Sequence, residues 1–173
     1  MPFTPFHMGP ALALKALSGR HFSVLVFGIA QVAMDIEPLI GMIRGADVLH
    51  GWSHTWIGAT LIGVPVALLA PALCRPILGR WNRELTHHGA ARLVSPPDIG
   101  RVGAATGAFV GTWSHVALDS IMHADVAPLS PWSAANAFLG AVSIGTLHLL
   151  CVAAGVLGVA AWLVLGLRAK PKR

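Results

Sequence analysis

The sequence has little charge. Asp, Glu, Lys and Arg make up 11% of the 173 residues, and the mean hydropathy is +0.69. Soluble domains carry roughly 25% charged residues, so this composition excludes an ordinary soluble domain and predicts an integral membrane protein. One domain, residues 1–173, is expected at this length, because each spanning helix with its connection uses roughly 20 to 40 residues.

Cysteine is also scarce, and the sequence contains no internal repeat or low-complexity tract. The two cysteines, Cys74 and Cys151, are far apart, and each lies in or beside an apolar run. Both are expected to be buried as small hydrophobic residues, which argues against a disulfide or a thiolate site.

Acidic residues are fewer than basic ones, 7 against 12, and the formal net charge is +5. The basic residues lie in loops and tails beside apolar runs, so we interpret them as topology signals that face anionic lipid. Membrane lipid is therefore the expected partner, and no nucleic-acid partner is predicted.

Long apolar runs dominate what remains. Four of them, 22–43, 54–74, 102–122 and 137–167, can cross a hydrocarbon layer about 30 Å thick as helices. The first is expected to be a retained span and not a cleaved signal peptide, because it contains two carboxylates. A shorter run, 8–19, is predicted to be a half-inserted or interfacial helix. The predicted fold is all-α, a polytopic membrane bundle of four spans plus a short N-terminal helix.

The arginines predict the orientation of this bundle. Five of them crowd the loop 75–101, whereas the stretches 44–53 and 123–136 contain a single arginine. The C-terminal tail is also basic, with Arg168, Lys170, Lys172 and Arg173. By the positive-inside rule, the loop 75–101 and the C-terminus are expected to face the cytoplasm. Asp98 is expected to cap the third span.

Ionisable side chains inside the apolar runs fall at one depth. Counted at 1.5 Å per residue from the arginine-rich end of each span, they lie ~20 to 32 Å away, near the outer surface. Such groups are costly in a membrane, so they are expected to face the bundle interior and share one polar pocket. The residues concerned are Asp35, Glu37, His54, His115, Asp119, His123 and His148.

Histidine spacing indicates what this pocket holds. His115, Asp119 and His123 follow one another at every fourth position and fall within an arc of about 80° on a helix. His50 and His54 repeat the spacing, and two histidines so placed can hold one divalent metal ion. We favour a metal site, with Asp35 and Glu37 adding oxygen ligands; a structural hydrogen-bonded network is the alternative.

Two further histidines are candidate ligands. His7 joins the site only if the N-terminus loops back to the outer side, and His148 has the right depth but no partner in its own helix. Other small and aromatic residues have structural interpretations. Gly103, Gly107 and Gly111 form a face for close helix packing. Trp52, Trp56, Trp113 and Trp132 are expected at the outer membrane interface.

Four stretches resemble a known family: MPFTPFH (1–7), MDIEPLIG (34–41), LHGWSHTWIGA (49–59) and SHVALDSIMHADVAPLSPW (114–132). Together they resemble the bacterial YdjM-like family of inner-membrane, metal-dependent hydrolases and a related uncharacterised family that opens MPFT-x-x-H. The resemblance covers most of the chain and implies a multi-pass protein of the bacterial inner membrane. It implies metal ligands at His7, Asp35, Glu37, His50, His54, His115 and Asp119.

The ligand order also resembles that of zinc-dependent phospholipase C, although a final His-x3-Glu pair is missing because Val152 follows His148. This implies one or two zinc ions and cleavage of phosphoesters. The hypothesis is a membrane-embedded, metal-dependent hydrolase of a lipid-linked phosphoester near the outer leaflet, with Asp35 or Glu37 as the base. The alternatives are a non-catalytic protein that binds or transports a metal or protons, and a b-type haem protein.

Overall fold

The computed structural model describes residues 5–168, and the regular elements within that range are helices, with no strand. The predicted all-α class is confirmed. The opening MPFT and the basic residues Lys170, Lys172 and Arg173 lie outside the described residues. The helices are α1 (Gly9–Ser18), α2 (Val24–Met34), α3 (Ile36–Arg44), α4 (Trp56–His87), α5 (Arg101–Met122) and α6 (Ile144–Arg168), and short 3-10 turns lie at Pro5–Met8, Gly19–His21, Trp52–His54 and Ala91–Leu93.

Within the described part of the chain, three segments are long and apolar enough to cross a membrane: Val24–Arg44, Trp56–His87 and Ile144–Gly166. The first of them comprises α2 and α3, which meet at Asp35. The fourth predicted span, 102–122, forms α5 but does not qualify as a span. Its glycines and polar residues suit contact with other helices better than contact with lipid. Three spans, and not four, therefore meet the requirement of length and apolar composition.

Helix α5 packs between α2 and α4, and ten of its 22 residues are buried. Its glycines face α2. A Cβ atom on Gly107 would lie 2.6 Å from the carbonyl oxygen of Ser23, and one on Gly111 would lie 2.7 Å from the Cβ of Ala30. Gly103 similarly faces the carbonyl of Arg20. The packing role predicted for the three glycines is confirmed, because each stands where a side chain would collide with a neighbouring chain segment.

Helix α1 packs along α6 at equally short range. A Cβ atom on Gly158 would collide with the backbone of Ala13, and one on Gly9 would collide with the carbonyl of Cys151. Cys151 is buried, as Cys74 is, and both are free thiols. The α1–α6 contact fixes the 3-10 turn Pro5–Met8 against the bundle, and residue 7 becomes buried.

The bundle has two ends of different composition. We call the end where α2 and α5 begin, and where α4 and α6 finish, the arginine end. Helix α4 continues to His87, so Arg75, Arg80 and Arg83 lie on a helix and only 88–100 connect α4 to α5. The predicted loop 75–101 was therefore too long. At about 48 Å, α4 exceeds the thickness of a hydrocarbon core of about 30 Å, so its basic end extends beyond any such layer.

Asp98 does not cap α5, which contradicts the prediction. The residue before the helix is Gly100, and no side chain caps its amides. The carboxylate of Asp98 instead accepts a hydrogen bond of 2.8 Å from Nε of Arg75, which joins the connection 88–100 to α4.

At the opposite end, which we call the site end, residues 123–143 fold back over the bundle. The amide of Trp56 donates to the carbonyl of Pro128 at 3.0 Å, and the amide of Gly140 donates to that of Ile121 at 3.0 Å. The side chain of Asn136 donates to the carbonyl of Ser120 at 2.8 Å. The predicted span 137–167 is shorter than expected, because residues 137–143 belong to this cover and α6 begins at Ile144.

Replacing Gly107 by Leu should lower the free energy of unfolding by about 1–3 kcal/mol, because the new side chain must separate α5 from α2. The thermal midpoint followed by circular dichroism in detergent measures this. Gly145→Leu is the matched control, since no atom lies within 4 Å of a Cβ placed there. Equal midpoints for the two variants would contradict the close contact of α5 and α2.

Candidate metal centre

The carboxylate of Asp119 lies at the centre of four imidazole rings. Its oxygens are 3.1 Å from Nε2 of His115, 3.2 Å from Nε2 of His54, 3.5 Å from Nε2 of His7 and 3.9 Å from Nε2 of His50. All five side chains are buried. Four rings from three separate parts of the chain therefore direct the same ring atom, Nε2, at one carboxylate or its immediate surroundings.

A second carboxylate faces the same group. Oδ1 of Asp35, at the junction of α2 and α3, lies 3.5 Å from Nε2 of His115. Asp35 is 5% exposed, so this carboxylate is also inside the protein. Two buried acidic groups in contact with one imidazole place considerable negative charge at the site.

The hydrogen bond of Nδ1 of His115 decides which nitrogen of the neutral ring carries the proton. The carbonyl of Gly111 can only accept a hydrogen bond, and Nε2 of Gln31 donates to it at 2.8 Å. Oε1 of Gln31 must then be the atom that faces Nδ1 of His115 at 2.7 Å, and it accepts from that nitrogen. In the neutral ring Nδ1 carries the proton, and Nε2 presents a lone pair to Asp119 and Asp35.

In His50 and His54, too, Nδ1 faces a hydrogen-bond acceptor. Nδ1 of His50 lies 2.9 Å from a carboxylate oxygen of Asp125, which can only accept. Nδ1 of His54 lies 2.9 Å from Oγ of Ser53, whose own proton goes to the carboxylate of Glu37. Glu37 also accepts from the amide of Ser53 at 2.9 Å. Metal-binding histidines usually have one ring nitrogen held in this way by an acceptor, which leaves the other free to coordinate.

Several of the inward nitrogens have no hydrogen-bond partner within residues 5–168. These atoms are Nε2 of His54 and His115 and both ring nitrogens of His7. Burying polar atoms without partners is costly, and lone pairs that face carboxylates repel them. A cation among them would give the Nε2 atoms and the carboxylate oxygens a partner at once. The donor set of imidazole nitrogens and carboxylate oxygens is the one that zinc and other divalent transition metals prefer.

Three buried groups have ligand atoms within 4.8 Å of one another, and all three can hold an ion: His7, His115 and Asp119; Asp35, His54 and His115; and His50, His54 and Asp119. They share residues, so they describe one connected site. A fourth group, His50, His123 and Asp125, is only partly buried and forms the rim. At that rim the rings of His50 and His123 stack at 4.4 Å.

Burial and hydrogen bonds keep the side chains around the site in the protonation state that binds metal. Burial lowers the pKa of His7 to about 4, although Asp119 opposes the shift, and burial also lowers the pKa of His54. Both rings are therefore neutral near pH 7, the form that binds metal. Burial also disfavours the charged form of Asp125, but hydrogen bonds from the ring of His50 and from two backbone amides outweigh it and lower the pKa of Asp125 to about 2.

Most of the predicted site residues lie together, and two lie apart. His148 stacks on Phe6 at 4.3 Å and belongs to none of the groups. Glu37 lies behind Ser53 and supports His54 instead of facing the carboxylates. The N-terminus does loop back to the site end, since His7 contacts Asp119.

Three residues that support the candidate ligands were not predicted from the sequence: Gln31, Ser53 and Asp125. Gln31 could have been found, because it precedes Asp35 by four residues and so lies on the same face of the helix. Ser53 and Asp125 adjoin predicted ligands in short polar stretches, but nothing in their spacing distinguishes an outer partner from a loop residue.

Fold and site together define a helical membrane-type protein with a buried histidine–aspartate centre. The chain belongs to the family described as domain of unknown function DUF4184, whose model matches residues 1–173. This match names neither the YdjM-like hydrolases nor phospholipase C, so those two resemblances stay predictions. Neither the comparison with curated proteins nor that with solved structures gives a match.

Purified protein loaded with Zn²⁺ should retain at least one ion per chain, measured by elemental analysis. Asp119→Asn and His115→Ala should each lose most of it, because they remove ligands common to several of the groups. His87→Ala is the control, since His87 is exposed at the end of α4. Wild-type protein without metal, or variants that retain it fully, would contradict a metal centre.

Gln31→Leu should weaken metal affinity by roughly 10- to 100-fold without removing a ligand, because the ring of His115 loses the acceptor that holds it. Competition with a chromophoric chelator measures this. Val32→Leu, on the exposed face of the same helix, serves as the control. Unchanged affinity in Gln31→Leu would show that the orientation of His115 does not depend on Gln31.

Proposed function

We propose that this chain is a membrane-embedded, metal-dependent hydrolase that cleaves a phosphoester carried by a lipid. The observation that carries the proposal is the convergence of unpartnered imidazole nitrogens on Asp119 and Asp35, while Nδ1 of His50, His54 and His115 is already held by an acceptor. Zinc is the proposed metal, since its usual ligands are imidazole nitrogen and carboxylate oxygen.

In this proposal α5 is a fourth membrane span. Three helical segments are apolar enough to cross a membrane, and α5 lies between two of them, α2 and α4. A helix enclosed by others can cross without an apolar surface of its own, because its polar residues face protein. By the positive-inside rule, the arginines of α4 support a cytoplasmic arginine end and a site toward the outer leaflet of a bacterial inner membrane.

The chemistry follows from the residues present. A divalent ion bound here would lower the pKa of water toward about 7 and polarise a phosphoryl oxygen. In hydrolysis, the water oxygen bonds to phosphorus while the phosphorus–oxygen bond to the leaving alcohol breaks. Asp35 is the candidate base that takes the proton of that water, because its carboxylate belongs to one ligand group and lies outside the two groups that contain Asp119. The proton then neutralises the leaving alkoxide.

Glu37 has a different role in this proposal. Its carboxylate accepts from both the amide and the hydroxyl of Ser53, and that hydroxyl in turn accepts from His54. Glu37 is therefore a positioning residue that holds a ligand. Asp35 is the better candidate for the base.

An apolar groove supports a lipid as the substrate. It has a volume of about 620 Å³ and lies between the N-terminal segment, including Phe6 and Leu12, and the α6 residues from Cys151 to Leu163. Those α6 residues span ~18 Å, slightly more than half of a bilayer hydrocarbon core. Phe6 precedes the candidate ligand His7, so the groove ends beside the metal centre. An acyl or prenyl chain in the groove would bring its phosphoester to that centre.

The arrangement argues against transport. All the ligand groups lie at the site end, whereas a pathway across the membrane needs polar stations in both halves. Non-catalytic metal binding is the alternative that the assay below distinguishes, and a visible absorption spectrum detects haem.

Metal-loaded protein should release phosphate or a phosphorylated headgroup from at least one member of a panel of phospholipids and polyprenyl phosphates. Asp35→Asn should retain an ion in the two buried ligand groups that lack Asp35, while its turnover falls roughly 10²- to 10⁴-fold, as expected for loss of a general base. Glu37→Gln should mainly weaken metal binding. Metal retention without release from any substrate would favour the non-catalytic alternative.

Substitutions in the groove test, in the same assay, whether the chain of the lipid substrate binds there. Val156→Trp places a large ring in the groove and should raise KM for the lipid while sparing a soluble phosphodiester such as bis(p-nitrophenyl) phosphate. Leu157→Trp is the matched control, because Leu157 is 68% exposed and lies outside the groove. Equal effects on both substrates would contradict binding of the chain in the groove.

A further inference from the structure

A second cavity lies at the arginine end, away from the metal centre. Its volume is about 900 Å³, within the range of roughly 300–1,000 Å³ typical of ligand pockets. It is enclosed by the end of α1, the starts of α2 and α5, the connection 94–100 and the last turns of α6. Along α5, Gly103 in its wall is ~18 Å from His115, so this cavity is separate from the site described above.

Its lining combines positive charge with an apolar wall. Lys15, Arg20 and Arg101 line it, and Trp162 and Leu165 of α6 are part of the apolar wall. Within residues 5–168 the two arginines have no ion pair. Asp98 is the acidic residue of the lining, and its carboxylate is already paired with Arg75. The cavity therefore carries an unneutralised positive charge.

Lys15 shows how that charge is held in place. Its Nζ donates to the carbonyls of Gly19 at 2.9 Å and Phe22 at 3.0 Å, which close the end of α1. An ammonium group has three donors, so one remains for a ligand. Arg20 and Arg101 lie on segments that this end of the bundle holds together, because the amide of Ser23 donates to the carbonyl of Gly103 at 3.2 Å.

We propose that this cavity binds the phosphate group of an anionic phospholipid, with the lipid chains lying over Trp162 and Leu165. A free phosphate ion would satisfy the cations but would leave the apolar wall unused, whereas a zwitterionic lipid brings its own ammonium group into a positive cavity. A phospholipid of net negative charge matches both parts. The cavity lies at the end of apolar helices, where headgroups are found, and basic pockets between such helices are suited to anionic headgroups.

The test uses the full chain in detergent and native mass spectrometry. Phosphatidylglycerol and phosphatidylcholine with identical acyl chains are titrated separately. Wild-type protein should bind phosphatidylglycerol more tightly, and Arg20→Gln with Arg101→Gln should weaken that binding by roughly fivefold per arginine removed. Arg80→Gln with Arg83→Gln is the matched control, because those arginines lie in α4 at the arginine end of the bundle but outside the cavity.

Three outcomes would overturn the proposal. The first is equal affinity for the two lipids, and the second is equal weakening by the two pairs of substitutions. The third is displacement of the lipid by inorganic phosphate at the same concentration, which would identify a free anion as the ligand. Each arginine is also replaced singly, with circular dichroism as a check of folding, so that a misfolded double variant does not decide the result. The measurement needs no bound metal and no hydrolysis, so it is independent of the proposed activity.

Discussion

The burial of Asp119 among imidazole rings is the constraint on which the site end depends. An ionised carboxylate inside a bundle of apolar helices costs several kcal/mol unless charge and hydrogen bonds compensate it. The rings that can hold a compensating proton or cation come from three separate segments, which carry His7, the pair His50 and His54, and His115. Each of these segments must be positioned correctly for the same carboxylate to be tolerated.

The helix packing supplies that positioning. Because Gly107 and Gly111 bring α5 into backbone contact with α2, the side chain of Gln31 can reach both the carbonyl of Gly111 and the ring of His115. A bulky residue at Gly111 would therefore disturb packing and the orientation of a candidate ligand together. The glycine face of α5 thus determines how closely α2 approaches, and the polar face depends on that approach. This explains why a helix with so little lipid-compatible surface lies at the centre of the bundle.

The two ends of the bundle carry different polar groups on a shared set of apolar helices. At the site end, acceptors such as Asp125, Ser53 and Gln31 hold imidazoles so that their free nitrogens point inward. At the arginine end, the carboxylate of Asp98 is engaged by Arg75, so the cations of the second cavity stay available. Helix α6 connects the two, because its exposed apolar surface contributes to the groove beside His7 and to the wall of the cationic cavity.

The sequence alone determined the helical class and the main candidate ligands. Apolar runs specify helices, and a spacing of four residues places His115 and Asp119 on one helix face whatever surrounds them. The tertiary structure decided what those faces meet. It showed that His7 returns to the site, that His148 stacks on Phe6 instead, and that Glu37 supports His54 while Asp35 adjoins the ligands. It also showed that α5 is enclosed by other helices and that α4 continues well past Arg75. Periodicity records only the neighbours along one helix, whereas a metal centre requires side chains that are far apart in the chain and are brought together by packing.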